Sequence, residues 1–320
     1  MSGERFLVTG GLGCLGAWVC RLLVADGAAV TIFDAGADDR RLRLVLDPGQ
    51  LSDVELIRGD LTDAAQVSAA VGAATHVIHL AALQVPFCRA DPARGAAVNV
   101  TGTIHVLEAV KAHDVRHLVY ASSAAVYGPP ESYDTEVLPA DAARLPSTLY
   151  GIYKVANEDA ARVYWLDHEV SSIGLRPHTV YGPGRDQGMT SQPTTAILSA
   201  VRGRSYHIDY GGTLLFQHAA DVAATFVRAA RAELLGAAVH NLGGEVGEIS
   251  ELVEAIVAAT DFDGLTHGSE PLALPKDFDD TALRTALGSP PVMSLADGVA
   301  ATVESFRRAV AEGRPLPDLD

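Results

Sequence analysis

Tyr150 and Lys154 stand four residues apart in the segment Leu149-Tyr-Gly-Ile-Tyr-Lys154, and the lysine is one of only three in a chain of 320 residues that holds 9 tyrosines. With so few lysines, a chance pair at this spacing is rare. Residues 150–166 read as a helix, which places both side chains one turn apart on one face. An ammonium held there favours phenolate over phenol and draws the tyrosine down from its ordinary pKa of about 10. A general base working near neutral pH needs about 3–4 kcal/mol of such help. An exposed tyrosine and lysine on an amphipathic helix would show the same spacing, so the pair needs support from elsewhere.

The N-terminus supplies it. Arg5-Phe6-Leu7-Val8-Thr9 is a short apolar run, followed by Gly10-Gly11-Leu12-Gly13-Cys14-Leu15-Gly16 and a helical pattern over residues 15–26. Strand, glycine-rich turn and helix is the context in which a glycine motif binds a dinucleotide. Gly10 and Gly11 permit the tight turn, Gly13 admits a pyrophosphate, and Gly16 lets helix pack on strand. The helix N-terminus then presents its amides and the positive end of its dipole to the phosphates. A second strand over residues 29–33 ends at Asp34, whose carboxylate suits an adenosine ribose and repels a 2′-phosphate, so the expected cofactor is NAD. Arg40 and Arg41 follow closely and are the residues that could admit NADP instead. Asp34 would also cap a turn before Gly36.

Those segments need an alternating scaffold, and the chain provides one. Strand patterns at 54–58, 76–80, 117–121 and 171–175 alternate with helices over 63–71, 93–112 and 150–166, the mark of a doubly wound parallel sheet. Thr62 and Ser250 are expected helix caps. Beyond Arg176 the alternation breaks into a proline- and glycine-rich binding loop. Helices at 219–231, 250–259 and 295–312 follow, with a strand at 238–242 that is expected to return to the first sheet. The fold class is therefore α/β: a Rossmann doubly wound sheet over residues 1–176, onto which about 213–243 packs back, and a smaller, mainly substrate-binding α/β region over 177–320.

A net charge of −16 leaves no basic stripe for nucleic acid or an anionic membrane. No apolar run reaches spanning length and no signal peptide is visible, so a cytoplasmic location is expected. Cys14, Cys20 and Cys88 lack disulfide or metal spacing, the eleven histidines are scattered, and no metal is expected.

Taken together, Thr9–Gly16, Gly59-Asp60-Leu61, His79-Leu80-Ala81-Ala82, Asn99–Thr103, Ser122–Gly128, Tyr150–Lys154 and Leu175–Pro183 resemble the extended short-chain dehydrogenase/reductases, specifically the NAD-dependent epimerase/dehydratase family. The resemblance covers nearly the whole chain. It implies that Asp60 and Leu61 sit at the adenine, that Leu80, Ala81, Ala82 and Pro177 line the cofactor trough, and that Asn99 supports the sheet edge. It makes Ser123, Tyr150 and Lys154 the catalytic group. Tyr150 takes a hydroxyl proton, Ser123 holds the same oxygen, and Lys154 bridges to the nicotinamide ribose.

Dehydratases of this family carry an acidic pair after the serine, where Ala124 and Ala125 stand here, so water elimination is not expected. Nucleotide-sugar epimerases place an asparagine where Thr179 stands, and residues 244–292 offer only Lys276 and Arg284 as cations. A sugar, sugar acid or polyol therefore remains beside a nucleotide sugar. Gln84, His178, Arg185 and Gln187 are substrate candidates by position, joined by Ser123, Ala124 and Thr179; His178 could equally be a packing residue. Two activities stay open: an epimerase working through a transient keto intermediate, and a dehydrogenase with net hydride transfer. The family resemblance also implies a homodimer built on the helices over 93–112 and 150–166.

Overall fold

The computed structural model describes residues 3–233 and 235–319. Its first half runs β1 (Arg5–Thr9), α1 (Cys14–Ala25), β2 (Ala29–Asp34), α2 (Arg40–Val45), α3 (Pro48–Leu51), β3 (Val54–Arg58) and α4 (Ala64–Gly72). It continues with β4 (His76–His79), α5 (Val85–Ala90), α6 (Pro92–Ala96), α7 (Gly102–Ala112), β5 (His117–Ala121), β6 (Val137–Leu138) and α8 (Leu149–His168). The second half runs β7 (Ser172–Arg176), β8 (Thr179–Tyr181), α9 (Gln192–Val201), β9 (Tyr206–Ile208), β10 (Thr213–His218), α10 (Ala219–Ala230) and β11 (Ala237–Asn241). The last elements are β12 (Glu245–Glu248), α11 (Ile249–Thr260), β13 (Leu265–His267), β14 (Asp277–Phe278), α12 (Thr281–Leu287) and α13 (Leu295–Ala311).

Seven strands form the main sheet in the order β3-β2-β1-β4-β5-β7-β11, and every pairing in it is parallel. Strands β4 and β7 are buried along their whole length, as strands covered on both faces are, and their ends bring the polar His76, His79, Ser172 and Arg176 inside. The strand order reverses between β1 and β4, so a crevice opens outside their carboxyl ends. Helices α1 and α10 cover one face with a core that includes Val19, Leu23, Val222 and Phe226. Helices α4 and α7 cover the other with Val67, Val71, Leu107 and Val110.

The return of residues 213–243 to this sheet is partial. Strand β11 pairs with β7 at the edge of the main sheet and α10 packs on its face, whereas β10 pairs with β8 and β12 in a separate three-stranded sheet. That small sheet is backed by α9, α11 and α13 around Ile197, Phe216, Ile256 and Phe306.

Three local expectations differ from the structure. The helix expected over 93–112 is interrupted by a π-helical turn at Ala97–Thr101. Within it the buried Asn99 side chain bonds both Leu83 N and Leu83 O, at 2.7 and 2.8 Å. Helix α4 is capped by Asp63, whose carboxylate accepts from Ala65 N and Gln66 N, rather than by Thr62. Helix α11 starts at a capping box of Glu248 and Glu251 rather than at Ser250.

Three buried histidines tie the elements together and stay neutral. Burial, with the Lys154 ammonium nearby, pushes His79 down to about 3, and burial pushes His178 and His218 down to about 4. Between pH 6.5 and 4 the unfolded chain binds protons that the folded chain refuses, so stability is full above 6.5 and falls as the pH drops. Unfolding at pH 5 should take up about two to three protons from these groups alone. Denaturant melts between pH 7 and 5 check this: a midpoint independent of pH would contradict it.

Candidate active site

The glycine turn is shaped by close approach. Gly10 has φ +71°, and a Cβ there would lie 2.6 Å from Ala81 N; one at Gly16 would lie 2.4 Å from Gly10 O. Only glycine fits at these two positions. Gly11 instead packs on Ile32 of β2, so its role is structural. The N-cap of α1 is Gly13, with no side-chain cap and no acidic residue in the first turn, which leaves that end of the helix without a partner of its own. Such an end suits a pyrophosphate.

Around this turn opens a cavity of about 930 Å³, at the upper end of the usual range for ligand sites. Gly10, Leu12, Gly13, Cys14, Leu15, Gly16, Asp34, Asp60 and Leu61 line its dinucleotide end, and Leu80, Ala81, Ala82 and Pro177 its middle. These residues fit a dinucleotide: the N-terminus of α1 at Gly13, without a side-chain cap, and the Asp34 carboxylate border the same cavity.

Asp34 does two things. Its oxygens accept from Leu12 N at 3.0 Å and from Gly36 N at 2.9 Å, so it caps the turn while also forming part of the cavity wall. Asp60 likewise holds the amide of Thr62. Burial raises the Cys14 thiol to about 12, which leaves it inert beside the cavity.

Ser123, Tyr150 and Lys154 meet at the far end. Thr148 caps α8 by accepting from Gly151 N at 3.0 Å, which fixes Tyr150 in the first turn. Tyr150 and Ser123 both border the cavity, the serine favouring the ionised phenol, and Ser123 Oγ accepts from Ala125 N at 3.1 Å. Lys154 is buried, donates to Ala121 O at 2.6 Å, and sits 5.6 Å from the centre of the Tyr150 ring.

Electrostatically the site departs from the sequence expectation. Burial raises the Tyr150 phenol above its ordinary value, opposed by the Ser123 hydrogen bond and the Arg185 charge. Burial also lowers the Lys154 ammonium to about 8, despite the opposing pull of Cys88 and Glu158. Desolvation of each group outweighs the opposing help from its neighbours.

The remaining candidates divide. Gln84, Ser123, Ala124, Arg185 and Gln187 all border the cavity. Arg185 donates to Thr190 Oγ1 at 3.1 Å while its buried Nε has no partner, so the guanidinium retains donors for an incoming group. His178 also borders the cavity, but its ring contacts Pro275 O at 2.7 Å and Thr179 Oγ1 at 3.0 Å, so both nitrogens are spent within the protein. It stands as a packing residue against Phe278. Thr179 is fully buried with its hydroxyl on His178, away from the cavity wall.

Sequence reasoning missed what lies behind Ser123, Tyr150 and Lys154. Glu158 on α8 is buried and receives Arg176 Nε and NH2 at 2.7 Å each, Ser122 Oγ at 2.5 Å and Arg144 NH1 at 3.3 Å. Glu158 lies two turns from Tyr150 and one from Lys154, and that spacing was the available signal. It also missed Asp186, which receives Arg40 NH2 at 2.9 Å and Arg41 Nε at 2.8 Å.

Among known proteins, the model of the NAD dependent epimerase/dehydratase family matches residues 6–243. The UDP-glucose 4-epimerase of Mycolicibacterium smegmatis is 32% identical over 95% of this chain and 98% of its own length. The structure of MoeE5 in complex with UDP-glucose and NAD is 29% identical, with a TM-score of 0.80 over 96% of this chain and 99% of that one. The Thermus thermophilus UDP-glucose 4-epimerase in complex with NAD is 26% identical, with a TM-score of 0.81 over 95% of this chain and 99% of that one.

Two substitutions test the geometry. Glu158→Gln leaves the buried Arg176 charge uncompensated and should cost about 3–5 kcal/mol in denaturant melts; a loss near zero would mean that the pair positions nothing. Tyr153, three residues after Tyr150 on α8, donates to Pro92 O at 2.8 Å and packs on Gly95. Tyr153→Phe should lose about 0.5–1.5 kcal/mol of stability while turnover is retained.

Proposed function

This chain belongs to the NAD-dependent epimerase/dehydratase family, and we propose that it inverts a secondary alcohol of a sugar or nucleotide sugar through a transient ketone. The observation that carries the reading is that Ser123, Tyr150 and Lys154 border the same cavity as the glycine turn. NAD, when bound, supplies the acceptor and then the donor of the hydride. Gly10, Gly13, the α1 N-terminus, Asp34 and Lys154 would hold it.

Tyr150, as the phenolate, takes the proton of the reacting hydroxyl and becomes the phenol. Ser123 Oγ donates a hydrogen bond to the same oxygen as it becomes a carbonyl. Return of the proton from Tyr150 after the ketone has turned over completes the inversion. Ala124 and Ala125, next to Ser123, hold no acid or base, which disfavours water elimination. Arg185 and Gln84 are the proposed substrate contacts, since the unspent guanidinium donors suit an anionic group such as a carboxylate or phosphate.

A dehydrogenase would use the same groups. Reduced cofactor accumulating one for one with product would remove the epimerase reading; regeneration of NAD at every turnover supports it.

The assembly we propose is a twofold homodimer in the cytoplasm. Leu149, Ile152, Val163 and Leu166 fall on one side of α8 and are 39%, 49%, 43% and 63% exposed, an apolar stripe without a partner in the monomer. A partner's equivalent helix would cover it. A monomeric mass in light scattering at micromolar concentration would sink this. Among the described residues no helix is long and apolar enough to cross a membrane.

The mechanism predicts separable losses. Tyr150→Phe should lower kcat about 10²–10⁴-fold with NAD affinity nearly intact, because the phenol serves the substrate oxygen. Lys154→Met should lower both turnover and NAD affinity. Steady-state kinetics and NAD titrations on the two variants check the division. Loss of NAD affinity in Tyr150→Phe would contradict the roles assigned.

A further inference from the structure

Two arginines, Arg41 on the cavity wall and its neighbour Arg40, are already occupied. Arg41 follows β2 on α2 and borders the cavity, its NH1 3.5 Å from Leu12 O, while the amide of the same Leu12 donates to Asp34. The Arg41 guanidinium and the Asp34 carboxylate therefore flank one residue of the glycine turn. Left free, Arg41 and its neighbour Arg40 stand where a phosphate on the adenosine ribose would find cations.

Neither is free. Asp186 Oδ1 accepts from Arg41 Nε at 2.8 Å and lies 2.6 Å from its NH2, while Oδ2 accepts from Arg40 NH2 at 2.9 Å. Arg40 Nε lies a further 3.3 Å from Asp38. The Asp186 side chain is only 7% exposed, so it holds this geometry rather than sampling solvent. It comes from the loop after β8, far away in sequence. That loop is anchored by Trp18 Nε1 donating to Pro183 O at 2.9 Å and by Gly182 N donating to Thr194 Oγ1 at 3.0 Å. Its turns need glycine at Gly182, Gly184 and Gly188, where φ is +120°, +91° and +98°. The aspartate is thus delivered to the arginines by a built segment.

We propose that Asp186 is a specificity-determining residue for the cofactor, acting through Arg40 and Arg41. By engaging both guanidiniums it withholds them from a 2′-phosphate, so that NAD is taken and NADP refused. Asp34 repels the phosphate directly; Asp186 removes the cations that would offset that repulsion. The inference rests on the cofactor reading given under Proposed function.

The test is the ratio of NADP to NAD dissociation constants, measured by titration on cofactor-stripped protein, with thermal melts recorded alongside. Asp186→Asn should shift the ratio towards NADP by about tenfold, equivalent to about 1.4 kcal/mol. Asp186→Glu, which keeps the charge, should stay near the parent, and Arg41→Met added to Asp186→Asn should cancel the shift. Asp186→Ser should give the same shift and serves where Asp186→Asn does not fold. Equal weakening of both nucleotides would show that Asp186 merely holds the loop, and would overturn the inference alone. A parent protein that binds NADP more tightly than NAD would overturn the cofactor reading, and the inference with it.

Discussion

The buried Glu158–Arg176 pair is the contact on which the site depends. Arg176 ends β7, Ser122 follows β5, and Glu158 sits on α8 below Tyr150 and Lys154. One carboxylate therefore joins the two strand ends and the helix that together carry Ser123, Tyr150 and Lys154. Arg176 extends the tie by donating to Tyr127 Oη at 2.5 Å and Ala140 O at 2.6 Å, and Asn241 at the end of β11 receives Tyr127 Oη at 2.8 Å. Such a pair adds little net stability over an apolar core, because desolvation offsets its attraction. Its value here is geometric: the polar partners fit in one arrangement only, which fixes the register of α8 against the sheet.

That rigidity has an electrostatic consequence. Lys154 is held on Ala121 O in a dry environment, and Tyr150 is desolvated beside it, so both are shifted towards their neutral forms. The groups that favour ionised Tyr150 are Ser123 and Arg185, one from each side of the cavity. Arg185 belongs to the loop after β8, so a loop that lines the cavity also brings a positive charge to the Tyr150 phenol. A charge developing during proton transfer is felt more strongly in such a low-dielectric site than in water.

The two halves of the molecule meet through the same loop. Trp18 on α1 and Asp186 on the loop lock it to the dinucleotide half, while Thr194 on α9 locks it to the smaller sheet. His218 reinforces the junction by contacting Trp18 edge-on at 5.8 Å and Tyr181 at 5.4 Å between ring centres. Its burial keeps it neutral near pH 7, which leaves this seam free of an uncompensated charge.

Much of this protein was legible in its sequence because the signals are local. Strand, glycine turn and helix in succession fix the cradle, since a left-handed Gly10 and a close Gly16 are demanded by backbone sterics alone. Tyr150 and Lys154 share a face because helical periodicity puts them there. What the sequence left open depends on groups brought from far along the chain. His178 looked as much like a ligand as like a packing residue until Pro275 and Thr179 were seen to occupy its two nitrogens. Arg40 and Arg41 looked free until Asp186, 146 and 145 residues away, was placed between them. The Tyr150 shift ran opposite to the expectation from Lys154, because burial is a property of the assembled site and cannot be read from a four-residue spacing. Periodicity and sterics act over a few residues and so are written in the chain; desolvation and the pairing of distant charges exist only once the tertiary structure has closed.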